Sequence, residues 1–256
     1  MISTDQIVFF FLILARIGGV FIQAPIFSSR SFPVFAKSAL AIWLAIVLWF
    51  VIPLNPAYPA GILNFLLSLI FEIAIGFTLG FVCNLLFIAV QSAGELMDMQ
   101  MGLSVASALD PMFGAVISVI GRLTFYLALI IFITADGHHM ILSALHQSFT
   151  LLPAGKIANF ASPAFGLQMI SFGSMLWMTA IKLAAPIILL VFIADFSFGI
   201  VSRVAPQVNV FMLGFQVKPL LGLAGILLIL PFIVKYINSL IFFIGQQMIL
   251  MVNNIK

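Results

Sequence analysis

Apolar residues run in long stretches near 7–27, 37–54, 62–90, 115–135, 165–194 and 219–250, parted by short clusters of polar residues, glycine and proline. A helix needs about 20 predominantly apolar residues to cross a hydrocarbon core roughly 30 Å thick. The pattern therefore predicts an all-α, multi-span membrane protein of about six apolar helical segments, with 138–152 as a weaker seventh. At about 1.5 Å rise per residue, runs such as 62–90 and 165–194 would each reach roughly 45 Å. Segments of that length must tilt, kink or leave the bilayer.

Prolines support the divisions. Pro53, Pro56 and Pro59 break the chain after the second run, and Pro153 marks a turn, because proline lacks an N–H and restricts the residue before it. Asp110 followed by Pro111 reads as an N-cap with proline at the first helical position. Pro186 and Pro231 fall inside apolar runs and predict kinks. Gly76 and Gly80 form a small-xxx-small pair that would let a second helix approach closely. No internal repeat shows, and residues 1–256 read as one membrane domain.

Composition closes off other classes. Hydrophobic residues make up 64% of the 256 positions and charged ones 7%, against about 45–50% and 25% in soluble domains. The mean hydropathy is +1.31. The pI near 9.3 does not signal nucleic acid, because the ten basic residues are scattered singly. The single Cys83 excludes an internal disulfide framework. No Lys or Arg precedes Arg16, so the first segment is expected to stay rather than be cleaved as a signal peptide. Basic residues near segment ends place Arg30, Lys37, Arg122, Arg203 and Lys218 on one side, opposite Lys156 and Lys256, which favours both termini outside.

Arg16, Glu72 and Lys182 lie within apolar segments, where each buried charge costs roughly 2.5–3.5 kcal/mol on insertion scales. Such charges must pair with one another, line a watery cavity or sit in protein outside the lipid. His138, His139 and His146 lie near a segment end, but no HExxH motif or cysteine cluster accompanies them, and no metal site or cofactor is expected. No phosphate-binding glycine loop or nucleophile elbow occurs. In QSAGELMDMQM at 91–101, Gln91, Glu95 and Asp98 recur at helical spacing with Met97, Met99 and Met101 interleaved. Methionine adapts to irregular surfaces, so Glu95, Met97, Asp98 and Met101 are candidates for lining a channel or for packing. The polar stretch RVAPQVNVFM at 203–212 reads as a turn joining two helices, in which Pro206 restricts the backbone while Gln207 and Asn209 offer hydrogen bonds. Two rival readings stand beside a structural one. The intramembrane charges could couple a secondary transporter, or Asp136, His138 and His139 could serve an intramembrane enzyme.

Several strings, in order, resemble the FliR/SctT family of type III secretion export-gate proteins: ARIGG at 15–19, APIFSS at 24–29, Glu72 with GFTLGF at 76–81, AGELMDMQMGLS at 93–104, LDP at 109–111, DGHH at 136–139, SFTLLP at 148–153 and RVAPQVNVFMLGFQVK at 203–218. The resemblance implies a non-enzymatic subunit built of bent helical hairpins. It would join FliP-like and FliQ-like subunits, and an FlhB-like switch protein, in a conduit for unfolded proteins across the bacterial inner membrane. It further implies a pore plug at Gly102, Leu103, Ser104, Val105, Ala106, Ser107, Ala108, Leu109, Asp110, Pro111, Met112 and Phe113. Some relatives carry phenylalanine where this chain has Val105 and Ala108, which leaves Leu109, Met112 and Phe113 as the apolar sealing candidates. The turn from Arg203 through Pro206, Gln207 and Asn209 to Lys218 is expected to position neighbouring subunits. GFQVK at 214–218 is closer to the flagellar than to the virulence versions.

Overall fold

The structure, a computed structural model, describes residues 3–28, 33–53, 61–104 and 118–256. Arg30, Pro56, Pro59 and the residues 105–113, with the expected Asp110–Pro111 cap, lie outside the described residues. Among the described residues every regular element is helical. In chain order they are α1 (Thr4–Gln23), α2 (Pro25–Ser28), α3 (Val34–Val51), α4 (Ile62–Met101), α5 (Val119–Thr134), α6 (Gly137–Leu151), α7 (Pro163–Val204) and α8 (Val210–Asn254). Five are long and apolar enough to cross a membrane, or six if the pair α5 and α6, bent by 68°, makes one broken span. The protein is an all-α, multi-span membrane protein, as the hydropathy pattern predicts.

Local chemistry explains where helices begin. Ser3 Oγ accepts from the Gln6 N–H while Gln6 Oε1 accepts from the Ser3 N–H, a reciprocal capping box with Asp5 in the positive first turn. Ser118 Oγ accepts from the Gly121 N–H at the start of α5, and Asn209 Oδ1 accepts from the Met212 N–H at the start of α8. Each satisfies an N–H that the first helical turn leaves without a partner.

The long elements exceed their expected lengths. α4 has 40 residues, α7 has 42 and α8 has 45, or about 60–68 Å along the axis and twice a bilayer core. Helix α4 does not stop near residue 90 but continues through the acidic and methionine-rich stretch. Helix α8 begins at Val210 rather than near 219 and so contains Pro219 as well as Pro231; Pro186 lies inside α7. The weak seventh segment is present as α6, and the turn expected at Pro153 carries a Lys156 N–H to Pro153 carbonyl bond.

Packing divides the chain into two interleaved units. The first comprises Met1–Leu86, Phe132–Phe172 and Leu240–Lys256; the second comprises Phe87–Ile131 and Gly173–Ser239. In the first, α1 lies against the first half of α4 at contact too close for side chains. A Cβ on Gly19 would meet the backbone of Ile73 and Phe77, and one on Gly76 would run into the Arg16 carbonyl. Gly80 likewise faces the Val20 carbonyl. Phe9, Leu12, Ile13 and Ile17 of α1 and Ile75, Leu79 and Cys83 of α4 are buried around this crossing. In the second unit, Gly94 of α4 faces Gly121 and Thr124 of α5, and Thr124 Oγ1 donates to the Val90 carbonyl at 3.2 Å. Met101 fills the space over Gly222 of α8, and Leu190 and Ile187 of α7 fill that beside Gly225.

Candidate functional site

The first unit holds a buried charge network. The close crossing at Gly19 and Gly76 brings Arg16 of α1 beside Glu72 of α4, both at 0% exposure. Arg16 Nε donates to Glu72 Oε2 at 2.5 Å and Nη2 donates to Oε1 at 3.1 Å, a two-pronged pair. Nη1 donates to Ser148 Oγ at 3.0 Å, Nη2 also donates to the Leu152 carbonyl at 3.0 Å, and the guanidinium lies 4.0 Å over the Phe149 ring. Glu72 Oε1 receives a further bond from the Gly155 N–H at 2.9 Å. Paired charges that each make further hydrogen bonds are the form in which ions can be buried at tolerable cost. The sequence offered Arg16 and Glu72 as pairing candidates but not Ser148, Phe149, Leu152 or Gly155. The Leu152 carbonyl and the Gly155 N–H are backbone groups, which no residue type in the sequence marks.

Lys182 requires a correction. Grouped with Arg16 and Glu72 as a buried charge, it is exposed on α7 and takes no part in their network. Its apolar neighbours in sequence suggested burial, but α7 presents much of its surface outward, including Trp177, Ile181, Leu189 and Phe196.

The second unit holds the end of α4. Met97, Asp98 and Met101 are buried, whereas Glu95 is exposed and bonded along its own helix to Gln91 Nε2 at 3.0 Å. Asp98 Oδ1 has no partner among the described residues. Gly102 has φ +81, a conformation suited to glycine, and ends the helix; the Leu103 N–H reaches back to the Asp98 carbonyl at 3.2 Å. Leu103 and Ser104 are half-buried. These three are the only plug candidates among the described residues. Beside them opens a groove of about 500 Å³, lined by Met99, Met101, Phe198, Phe211 and Phe215 and by the pair Lys218 Nζ to Asp195 Oδ1 at 2.5 Å.

That ion pair clamps α7 to α8 beyond their connecting turn. The turn spans 205–209, with the Val208 N–H bonded to the Ala205 carbonyl at 3.0 Å and Asn209 capping α8. Arg203, Pro206 and Gln207 are exposed. Lys218, expected with this turn, lies in α8 instead, because helix resumes at Val210. At the bend between α5 and α6, Asp136, His138 and His139 present ligand atoms within 4.8 Å of one another, among the described residues. His146, grouped with them in sequence, stands outside that cluster.

Residues 7–244 match the family model of the bacterial export proteins, family 1. The flagellar biosynthetic protein FliR of Pectobacterium carotovorum is 34% identical over 90% of this chain and 87% of its own length. FliR of Escherichia coli is 33% identical over 89% of this chain and 86% of its own. The Yop proteins translocation protein T of Yersinia pestis is 30% identical over 86% and 84%. With the family model covering nearly all of the chain and relatives of this identity spanning most of their own length, the protein belongs to the bacterial export proteins, family 1, the FliR/SctT family of type III export apparatus components.

Proposed function

We propose that this chain is a structural channel subunit of the flagellar type III export gate. It forms, with FliP-like and FliQ-like subunits and alongside an FlhB-like switch protein, the conduit for unfolded flagellar proteins across the inner membrane at the basal body. The observation that carries this reading is the length of the outward apolar faces. Helices α7 and α8 have 42 and 45 residues and expose large side chains from Leu167 to Val204 and from Phe211 to Leu250. A bilayer about 30 Å thick covers roughly 20 residues of an upright helix. Lipid thus covers about half of each face, and the remaining apolar surface calls for protein partners.

The charge network supports a passive role. Both Glu72 oxygens are engaged by Arg16 and the group is closed to solvent, so the carboxylate is spent on its partner and does not face a watery path. In this reading the segment from Gly102 to Phe113 plugs the resting pore, and the turn from Arg203 to Asn209 helps to position neighbouring subunits. GFQVK at 214–218 favours the flagellar system; the Yersinia relative marks the virulence equivalent as the second reading. Deleting the gene and scoring motility and secreted flagellar protein is the test. Loss of both, restored by the intact chain, is expected. Normal motility with loss of another secreted set would favour the virulence system, and loss of a solute uptake alone would overturn both.

A further inference from the structure

The junction of α5 and α6 spends backbone strain on a carboxylate. Asp136 is the single described non-glycine residue with positive φ, at 56°, where the chain bends by 68°. Glycine adopts this conformation without penalty. At the next position glycine is required for another reason, since a Cβ on Gly137 would run into the Phe132 ring. The Asp136 side chain does not cap α6. Its backbone carbonyl takes the His139 and Met140 N–H groups at 2.9 and 3.2 Å, and Oδ1 lies 3.4 Å from His139 Nδ1. The His138 ring is tilted against that of His139, with centroids 4.2 Å apart. An exposed Asp–His pair contributes little to stability, so packing energy does not account for placing three such groups together.

We propose that Asp136, His138 and His139 bind one divalent transition-metal ion of the zinc class. Two imidazoles and a carboxylate suit Zn²⁺, Co²⁺, Ni²⁺ or Cu²⁺, whereas Mg²⁺ and Ca²⁺ demand more oxygen ligands than this junction presents. Three protein ligands leave the fourth tetrahedral position to water. Bonds of about 2.0–2.1 Å would draw the ligand atoms to roughly 3.4 Å of one another. From within 4.8 Å, this closure falls to side chains that are exposed at Asp136 and His139 and half-buried at His138. A bound ion would tie Asp136 to the first turn of α6. The site does not depend on the export reading, and its test is independent of motility.

The test uses the full chain, purified without a polyhistidine tag and held in lipid nanodiscs, titrated with Co²⁺ and then with Zn²⁺. One Co²⁺ per chain is expected, with the visible absorption of a four-coordinate ion that Zn²⁺ displaces. Asp136→Asn keeps a residue that tolerates this backbone conformation, and His139→Ala alters an exposed side chain; each is expected to weaken Co²⁺ binding at least tenfold while thermal unfolding stays unchanged. His146→Ala is expected to bind as the parent does. Absence of stoichiometric uptake, uptake indifferent to both cluster variants, or loss in His146→Ala would overturn the assignment.

Discussion

Arg16 makes four hydrogen bonds to Glu72, Ser148 and the Leu152 carbonyl, so its removal strands a buried carboxylate. Arg16→Leu is expected to cost about 3–5 kcal/mol, read as lower abundance and a lower aggregation temperature of the membrane-extracted protein. Adding Glu72→Leu should recover part of that loss by removing the unpaired charge. A double variant no better than Arg16→Leu would mean that the pair contributes something other than mutual neutralisation. The glycines make a second contrast at this scale. Gly76 meets the Arg16 backbone whereas nothing lies within 4 Å of a Cβ on Gly18. Gly76→Ala is therefore expected to destabilise by about 1–3 kcal/mol through overpacking, while Gly18→Ala is expected to be neutral or to gain up to about 1 kcal/mol of helix propensity. Equal thermal behaviour of the two variants would contradict the close crossing of α1 and α4.

At the scale of elements, the hairpin of α7 and α8 is held near its turn by one cap and one ion pair, and further along by Ile187 and Leu190 packed beside Gly225. Asn209 Oδ1 accepts from the Met212 N–H, and losing such a cap costs about 1 kcal/mol. Asn209→Leu removes the acceptor and places an apolar side chain on the exposed turn, so it should reduce assembly more than expression, whereas Asn209→Asp should assemble normally. Native electrophoresis of the export complex beside immunoblots of the single chain separates the two effects. Normal assembly with Leu at 209 would count against a positioning role. The extension of α4 through the stretch 91–101 shows why apolar content misjudged the element: Gln91 and Glu95 bond to each other along the helix surface, while Met97, Asp98 and Met101 turn inward. A helix can carry polar residues on one face without ending.

For the whole molecule, the exposed apolar faces of α7 and α8 predict dependence on partners. Co-expression with FliP-like and FliQ-like subunits is expected to raise the thermal midpoint of the chain, because anything that binds the folded form alone stabilises it by mass action. A monodisperse monomer whose stability ignores those subunits would argue against the gate. The proposed plug makes a second prediction. Replacing 103–109 by a glycine linker should leave assembly intact but raise leakage of small ions through the resting complex in a conductance assay. An assembled variant as tight as its parent would remove the plug from this segment.

Composition and apolar run length determine by themselves that this chain is helical and membrane-embedded, because transfer of so many apolar side chains from water depends on their number and not on their arrangement. Ordered strings such as AGELMDMQMGLS and RVAPQVNVFMLGFQVK make the family legible as well. Sequence likewise marked Arg16 and Glu72 as costly charges and Gly76 and Gly80 as a close-approach pair. Only the tertiary structure decides that Arg16 meets Glu72, 56 positions away, with Ser148 and Gly155 completing the shell, while Lys182 stays outside on α7. It alone turns the DGHH string into a three-ligand cluster with Asp136 included and His146 left out. The reason is geometric: hydropathy integrates along the chain, whereas a partner's identity depends on side-chain directions and on distances across helices that no local window contains.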